Sequence, residues 1–275
     1  MTAAIGSWID GVPGASLPAD DRGLQYGDGL FETVLVRERR ARFLDAHLAR
    51  LSRGCTRLAI STGSLPLLRA EIEAALAMAP PLAILKIIVT RGGARRGYAP
   101  QGDETTRRIV SLWPAPARAA SIDVGVDLRV ATIRLGENPA LAGIKHLNRL
   151  ENVLAAAETS SAGAFESLLL DTSGNLVSGA MSNVFIVQAG RVSTPLIDRC
   201  GVAGVMRGIV LRECAALGIA TVERRLTTDD LLSADEVFIT NARIGVVPVR
   251  RVGEHLFGMN NLARRLAAHI EPLDA

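Results

Sequence analysis

The chain has 275 residues and a mass of 29.1 kDa, enough to bury a core as one large domain or two of ordinary size. Its 48% hydrophobic and 21% charged residues exclude a disordered chain, and its longest apolar run, Ala74 to Leu85, is broken by Pro80 and Pro81, too short to span a membrane. A net charge of +3 on scattered basic residues, with 4% aromatics, argues against nucleic-acid binding, and the N-terminus shows no secretory leader.

In chain order, Ile5 to Val36 reads as short strands and turns, punctuated by Asp10-Gly11 and Gly27-Asp28-Gly29. Leu44, Leu48, Leu51, Cys55 and Leu58 recur at alternating intervals of four and three, one face of a helix, with Asp45 as its candidate cap. A second helix is predicted over Pro66 to Met78, with Ser64 near its N-cap. Ile84 to Thr90 and Arg108 to Trp113 read as strands. Pro114-Ala115-Pro116-Ala117 then marks a boundary: a small N-terminal α/β domain over 1–113, a linker over 114–121 and a larger C-terminal domain over 122–275. In the second half Val124 to Ile133 reads as a strand and Asn148 to Glu158 as a helix. Leu168 to Leu170 and Val184 to Val187 flank the turn Thr172-Ser173-Gly174-Asn175 as a hairpin. Ala203 to Leu217 reads as a helix, Val237 to Thr240 as a strand and Asn260 to Ile270 as a terminal helix. The fold class expected is α/β: two mixed sheet-and-helix lobes with the site in a cleft between them.

Chemistry concentrates in a few places. Only Lys86 and Lys145 are lysine; the other basic residues counted with them are arginine. Arginine stays protonated, whereas a desolvated lysine can lose its proton and attack a carbonyl. Lys145 follows the small, apolar approach Ala140-Leu-Ala-Gly-Ile144 at the handover into a helix, where desolvation lowers a lysine's pKa. The competing reading is an exposed lysine near a helix start. Lys86, inside the apolar strand Ile84 to Thr90, reads as structural or solvent-facing. Cys200-Gly-Val-Ala-Gly-Val-Met-Arg207 is a glycine-rich turn opening a helix, whose free N–H groups suit a phosphate. Arg50, on the first predicted helix, can grip a phosphate bidentately or be an ordinary surface arginine. Thr240-Asn241-Ala242, at a strand exit, suits a second phosphate contact. His146 is a packed histidine or a proton relay. The four histidines and the cysteines Cys55, Cys200 and Cys214 show no ligand spacing, so no metal is expected, and the cysteines fit a reducing cytoplasm.

The order Tyr26-Gly-Asp-Gly-Leu-Phe-Glu32, His47-x-x-Arg50-Leu51, Lys145, Ser182-Asn-Val-Phe185, Gly201-Val-x-Gly-Val-Met-Arg207 and Thr240-Asn-Ala242 resembles the fold-type IV pyridoxal-phosphate (PLP) enzymes. These comprise branched-chain aminotransferases, D-amino-acid aminotransferases and 4-amino-4-deoxychorismate lyases. The likeness covers roughly Ile5 to Arg250. Arg134 to Glu151 and Arg91-Gly-Gly-x-x-Arg-Gly-Tyr98 look like the lyase subgroup. The resemblance implies that Lys145 carries PLP as a Schiff base and acts as base. It implies that Arg50, the N–H groups of Val205 and Met206, and Asn241-Ala242 hold the phosphate. It places Arg91, Arg96 and Tyr98 in the substrate pocket, with Arg95 and Arg107 as substitutes. It further implies a homodimer acting on a small molecule, 4-amino-4-deoxychorismate, with 4-aminobenzoate and pyruvate as products. An aminotransferase and a non-catalytic PLP-binding homologue are the alternatives.

One position departs from the pattern. Relatives place a glutamate where Gly174-Asn-Leu-Val-Ser-Gly-Ala-Met-Ser-Asn183 has Ser178, facing the pyridine nitrogen, and no acid in this segment substitutes. A hydroxyl can hydrogen-bond that nitrogen but cannot hold it as a cation, which disfavours transamination more than lysis.

Overall fold

The computed structural model describes residues 3–273 apart from 64, 94–96, 103, 117–118, 120 and 259–260. The chain divides into two compact units: Met1–Pro116 with Ile144–Asn148 and Asp274–Ala275, and Ala117–Gly143 with Arg149–Leu273.

The first unit contains β1 (Gly6–Ile9), β2 (Val12–Pro13), α1 (Arg22–Tyr26), β3 (Gly29–Arg37), β4 (Arg40–Ala41), α2 (Leu44–Leu58), α3 (Leu65–Ala77), β5 (Leu82–Thr90) and β6 (Arg107–Pro114). Its strands form one antiparallel sheet in the order β2-β1-β6-β5-β3-β4. β3 and β5 pair along their whole length, from Gly29 opposite Thr90 to Arg37 opposite Leu82. Strand alternation sends Leu30, Val34 and Val36 to one face with Leu85, Ile87 and Val89. α2 packs on β3 and α3 on β6, burying Leu51, Cys55, Leu68 and Ile72. The periodicity of α2 is the one read from its leucines. Asp45, however, lies inside its first turn and pairs with Arg69, while the N-cap is Phe43 in the left-handed region. Ser64 falls outside the described residues.

The second unit contains α4 (Ser121–Val124), β7 (Val126–Leu135), α5 (Leu150–Ser161), β8 (Glu166–Asp171), β9 (Leu176–Gly179), β10 (Asn183–Gln188), β11 (Arg191–Pro195), α6 (Val205–Ala216), β12 (Thr221–Arg224), α7 (Thr228–Leu232), β13 (Glu236–Asn241), β14 (Gly245–Val252), β15 (His255–Leu256) and α8 (Asn261–Ile270). Its sheet runs β12-β11-β10-β13-β14-β7-β8-β9, with β15 beside β14, and mixes parallel with antiparallel pairs. Leu128, Leu168, Val184, Ile186, Ile239 and Val247 form the centre of its main core, and Ala155 of α5 closes a smaller one with Ala131 and Leu169.

Two expectations are corrected. The opening segment holds a nine-residue central strand, β3, and a short helix, α1, rather than short strands and turns alone. The lysine expected in the C-terminal domain belongs by its contacts to the first unit. The cause is backbone pairing: Phe31 N–H donates to Lys145 O at 2.9 Å, Leu147 N–H donates to Gly29 O at 3.0 Å, and His146 bridges Leu30.

Candidate functional site

In the first unit that pairing pins Lys145 beside β3. Its Nζ lies 4.3 Å from the centroid of the Phe31 ring. Lys86 points to the same ring, with its Nζ at 5.5 Å, so the chain's two lysines flank one aromatic side chain. Alternation puts Phe31 and Lys86 on the sheet face opposite α2. Gly27, in the left-handed region at the end of α1, leaves room for Asn148, whose Nδ2 donates to Gly27 O at 3.3 Å.

The α2 face carries the unit's buried charges. Glu32 stands among Leu30 and Val34, where alternation would place an apolar residue. His47 Nδ1 is 2.6 Å from its Oε2, and Arg50 donates through Nε to Oε1 at 2.8 Å and through Nη2 to Oε2. Burial pushes the Glu32 carboxyl upward, but the His47 bond and the Arg50 charge outweigh it and hold the group below its ordinary value. Arg50 is therefore a buried, oriented guanidinium and not a surface one. Sequence reasoning assigns Glu32 and His47 no role; a charge on an apolar strand face is the available signal.

Arg91 is spent within the unit. Its Nε donates to Asp28 Oδ2 at 2.8 Å, Nη1 to Ala59 O at 2.8 Å and Nη2 to Leu58 O at 2.7 Å, so it caps the end of α2. Arg22 shares Asp28 and donates to the carbonyls of Gly97 and Tyr98 at 3.0 and 2.6 Å. Burial raises the pKa of Asp28, yet the two guanidiniums hold it below its usual range. The Tyr98 ring is 84% exposed and meets Tyr26 edge-on at 5.3 Å. Arg107 pairs with Asp10 and Asp21. Arg95 and Arg96 lie outside the described residues.

In the second unit, Gly204 is the N-cap of α6. The N–H groups of Val205 and Met206 donate to no described residue, although both residues are buried. Thr240 Oγ1 is likewise buried without a hydrogen-bond partner among the described residues. Together with the helix dipole they form a donor set suited to a phosphate group. Asn241 Oδ1 accepts from the N–H groups of Arg243 and Ile244 at 2.9 and 3.0 Å, shaping the loop that carries Ala242.

Ser178 lies in β9, buried, with its hydroxyl bonded to no described residue. An acid does approach this strand from outside the hairpin segment. Glu166 accepts from Met181 N–H and fills, with Ser182, the space that a side chain at Gly179 would need. Gly179 pairs with Leu168 and Ser178 with Leu169, so Glu166 and Ser178 point to opposite faces. Burial pushes the pKa of the Glu166 carboxyl up, and its position on the other face keeps it from replacing the missing glutamate. Among the described residues no group of three or more histidine, cysteine or acidic side chains could hold a metal ion.

A family model described as amino-transferase class IV matches residues 29–252. The aminodeoxychorismate lyase of Vibrio harveyi is 35% identical over 270 residues, spanning 96% of this chain and 98% of that protein. The crystal structure of 4-amino-4-deoxychorismate lyase from Pseudomonas aeruginosa matches with a TM-score of 0.93 at 45% identity, over 98% of this chain and 100% of that one. The D-alanine aminotransferase of Bacillus licheniformis is 30% identical over 87% of this chain and 84% of its own length.

Proposed function

Because the chain belongs to the amino-transferase class IV family, we propose that it is a PLP-dependent lyase that converts 4-amino-4-deoxychorismate to 4-aminobenzoate and pyruvate. The observation that carries this reading is its end-to-end likeness, at the identities given above, to two lyases of that name.

Bound PLP supplies an electron-withdrawing ring conjugated to the substrate nitrogen. Lys145 would hold that group covalently through Nζ, and the same Nζ, when released by the substrate amine, would be the base for the proton on the ring carbon that bears the nitrogen. The bond from the neighbouring ring carbon to the ether oxygen would then break, the side chain leaving as enolpyruvate that takes up a proton to become pyruvate, and aromatisation of the ring drives the step. When PLP is bound, the N–H groups of Val205 and Met206 and the loop at Asn241-Ala242 would hold its phosphate, and Arg50 would add a guanidinium. Ser178 offers the pyridine nitrogen a hydroxyl without a negative charge, which slows the competing amino-group transfer.

The substrate's two carboxylates need cations. The bonds of Arg91 to Asp28 and to the carbonyls ending α2 favour a supporting role over a direct grip on substrate. Lys86, sharing the Phe31 ring with Lys145, is a candidate beside the exposed Tyr98, and Arg96, outside the described residues, stays one. A cytoplasmic homodimer belongs to the same reading. Cys55, Cys200 and Cys214 are free, as a reducing compartment would keep them. Leu150, Val153 and Leu154 stand exposed along one face of α5, beside an open groove of about 810 Å³ lined by Ile133, Leu154 and Ala157. No helix among the described residues is long and apolar enough to cross a membrane.

The test is direct. The purified protein, supplied with PLP and enzymatically made 4-amino-4-deoxychorismate, should release 4-aminobenzoate and pyruvate in equal amounts. Lys145→Ala and Lys145→Arg should both release neither, since charge is not the requirement. Amino-group transfer to a 2-oxo acid, with no pyruvate formed from the chorismate derivative, would make it an aminotransferase instead.

A further inference from the structure

Asn183 opens β10 with its side chain buried, opposite Thr240 of β13. Its carboxamide reaches the turn that leads into α6 and binds it at two points. Nδ2 donates to Val202 O at 2.9 Å, and Oδ1 accepts from Gly204 N–H at 3.1 Å. The fit is close. A Cβ built on Gly204 would lie 2.0 Å from Asn183 Oδ1, although its backbone, at φ −62° and ψ 143°, would accept any side chain. Glycine is therefore required at 204 by the approach of Asn183 and not by conformation. The next two N–H groups in the chain are the unpartnered donors of Val205 and Met206, and the cross-strand neighbour of Asn183 carries the unpartnered Thr240 hydroxyl.

We propose that Asn183 is a positioning residue for the cofactor phosphate: its two-point grip on Val202 and Gly204 seats the N-terminus of α6 so that its free N–H groups stand ready for the anion. This rests on the reading of α6 as the phosphate seat. Asn183 touches neither the phosphate nor the substrate in this scheme; it acts through the helix.

The test compares PLP with pyridoxal, which can still react with Lys145 but lacks the phosphate. Both are titrated into the apoprotein and followed by absorbance. Asn183→Ala should lose PLP affinity by about tenfold or more, the scale of one lost buried hydrogen bond, while pyridoxal affinity stays within about twofold. Gly204→Ala, which pushes the carboxamide aside, should reproduce the effect, and the double variant should be no weaker than either single one. Val205→Pro tests the underlying reading separately, because proline at a first helical position removes one N–H and keeps the helix. A selective loss of PLP in Val205→Pro without one in Asn183→Ala overturns the role of Asn183 and leaves the seat standing. No selective loss in Val205→Pro overturns both. Parallel losses of PLP and pyridoxal in Asn183→Ala would make it a general structural residue and end the proposal.

Discussion

Glu166 shows how one buried side chain leaves a pH signature. It is almost fully enclosed, accepts from Met181 N–H through one oxygen, and has no hydrogen-bond partner among the described residues on the other. Burial raises its pKa against the weaker pull of the Met181 and Ser182 bonds and of Arg243. Its folded pKa thus lies above the unfolded one, so folding takes up a proton and stability falls as pH rises above the ordinary carboxylate range. Glu166→Gln carries no proton to retain. Relative to the parent, the variant should gain stability progressively as pH rises above the ordinary carboxylate range, read as a shift of the urea midpoint. A variant that loses ground as pH rises would mean that Glu166 is ionised in the fold. Ser178 invites a complementary test of chemistry. Ser178→Glu supplies a carboxylate on the opposite face of the strand from Glu166, and it should raise half-transamination with an amino acid, measured from the cofactor's absorbance change. An unchanged rate would remove Ser178 from the account of specificity.

At the level of elements, α2 is the part of the fold most open to reading from sequence and the one whose function was least so. Its leucines repeat at helical spacing, and Leu51 and Cys55 end fully buried against β3. Leu51→Ala should therefore cost roughly 2–5 kcal/mol in chemical denaturation, as for other enclosed leucines, and a loss below about 1 kcal/mol would show that the helix collapses into the space. The polar side of the same helix reads differently. Arg50 has the sequence profile of a surface arginine, and only the register of β3 reveals Glu32 beneath it. Arg91 was legible as a motif residue, but not as the cap of α2, because its partners Asp28, Leu58 and Ala59 come from two distant stretches. Lys145 stood out in the sequence because lysine is scarce here, but its place beside Phe31 did not, since the pairing with β3 joins stretches far apart in the chain. The glycine-rich turn opening α6 was legible from its glycines, whereas Asn183, contributed by another strand, carried no local sign of its contact with Gly204.

Across the whole molecule, chain order and structural grouping part company at one point. Residues Ile144–Asn148 leave the sequence of the second unit and complete the first, supplying Lys145 to the sheet that carries Phe31 and Lys86. The segment satisfies Phe31 N–H, Gly29 O and Gly27 O, and Leu147 packs so closely on Gly29 that a Cβ there would meet its Cδ1 at 2.8 Å. Each such hydrogen bond is worth about 0.5–1.5 kcal/mol net, and each buried group left unmade costs about 1–3 kcal/mol. A fragment ending at Pro116 keeps every strand of its sheet but loses all of these partners. Both tryptophans, Trp8 and Trp113, lie in this unit, so their fluorescence reports on it alone in the intact protein and in the fragment alike. The fragment should unfold at a clearly lower urea concentration than the same signal does in the full chain, with a shallower transition. Coincident midpoints would mean that the lysine segment is a guest on a self-sufficient sheet, and that it adds nothing to the stability of the unit that holds it.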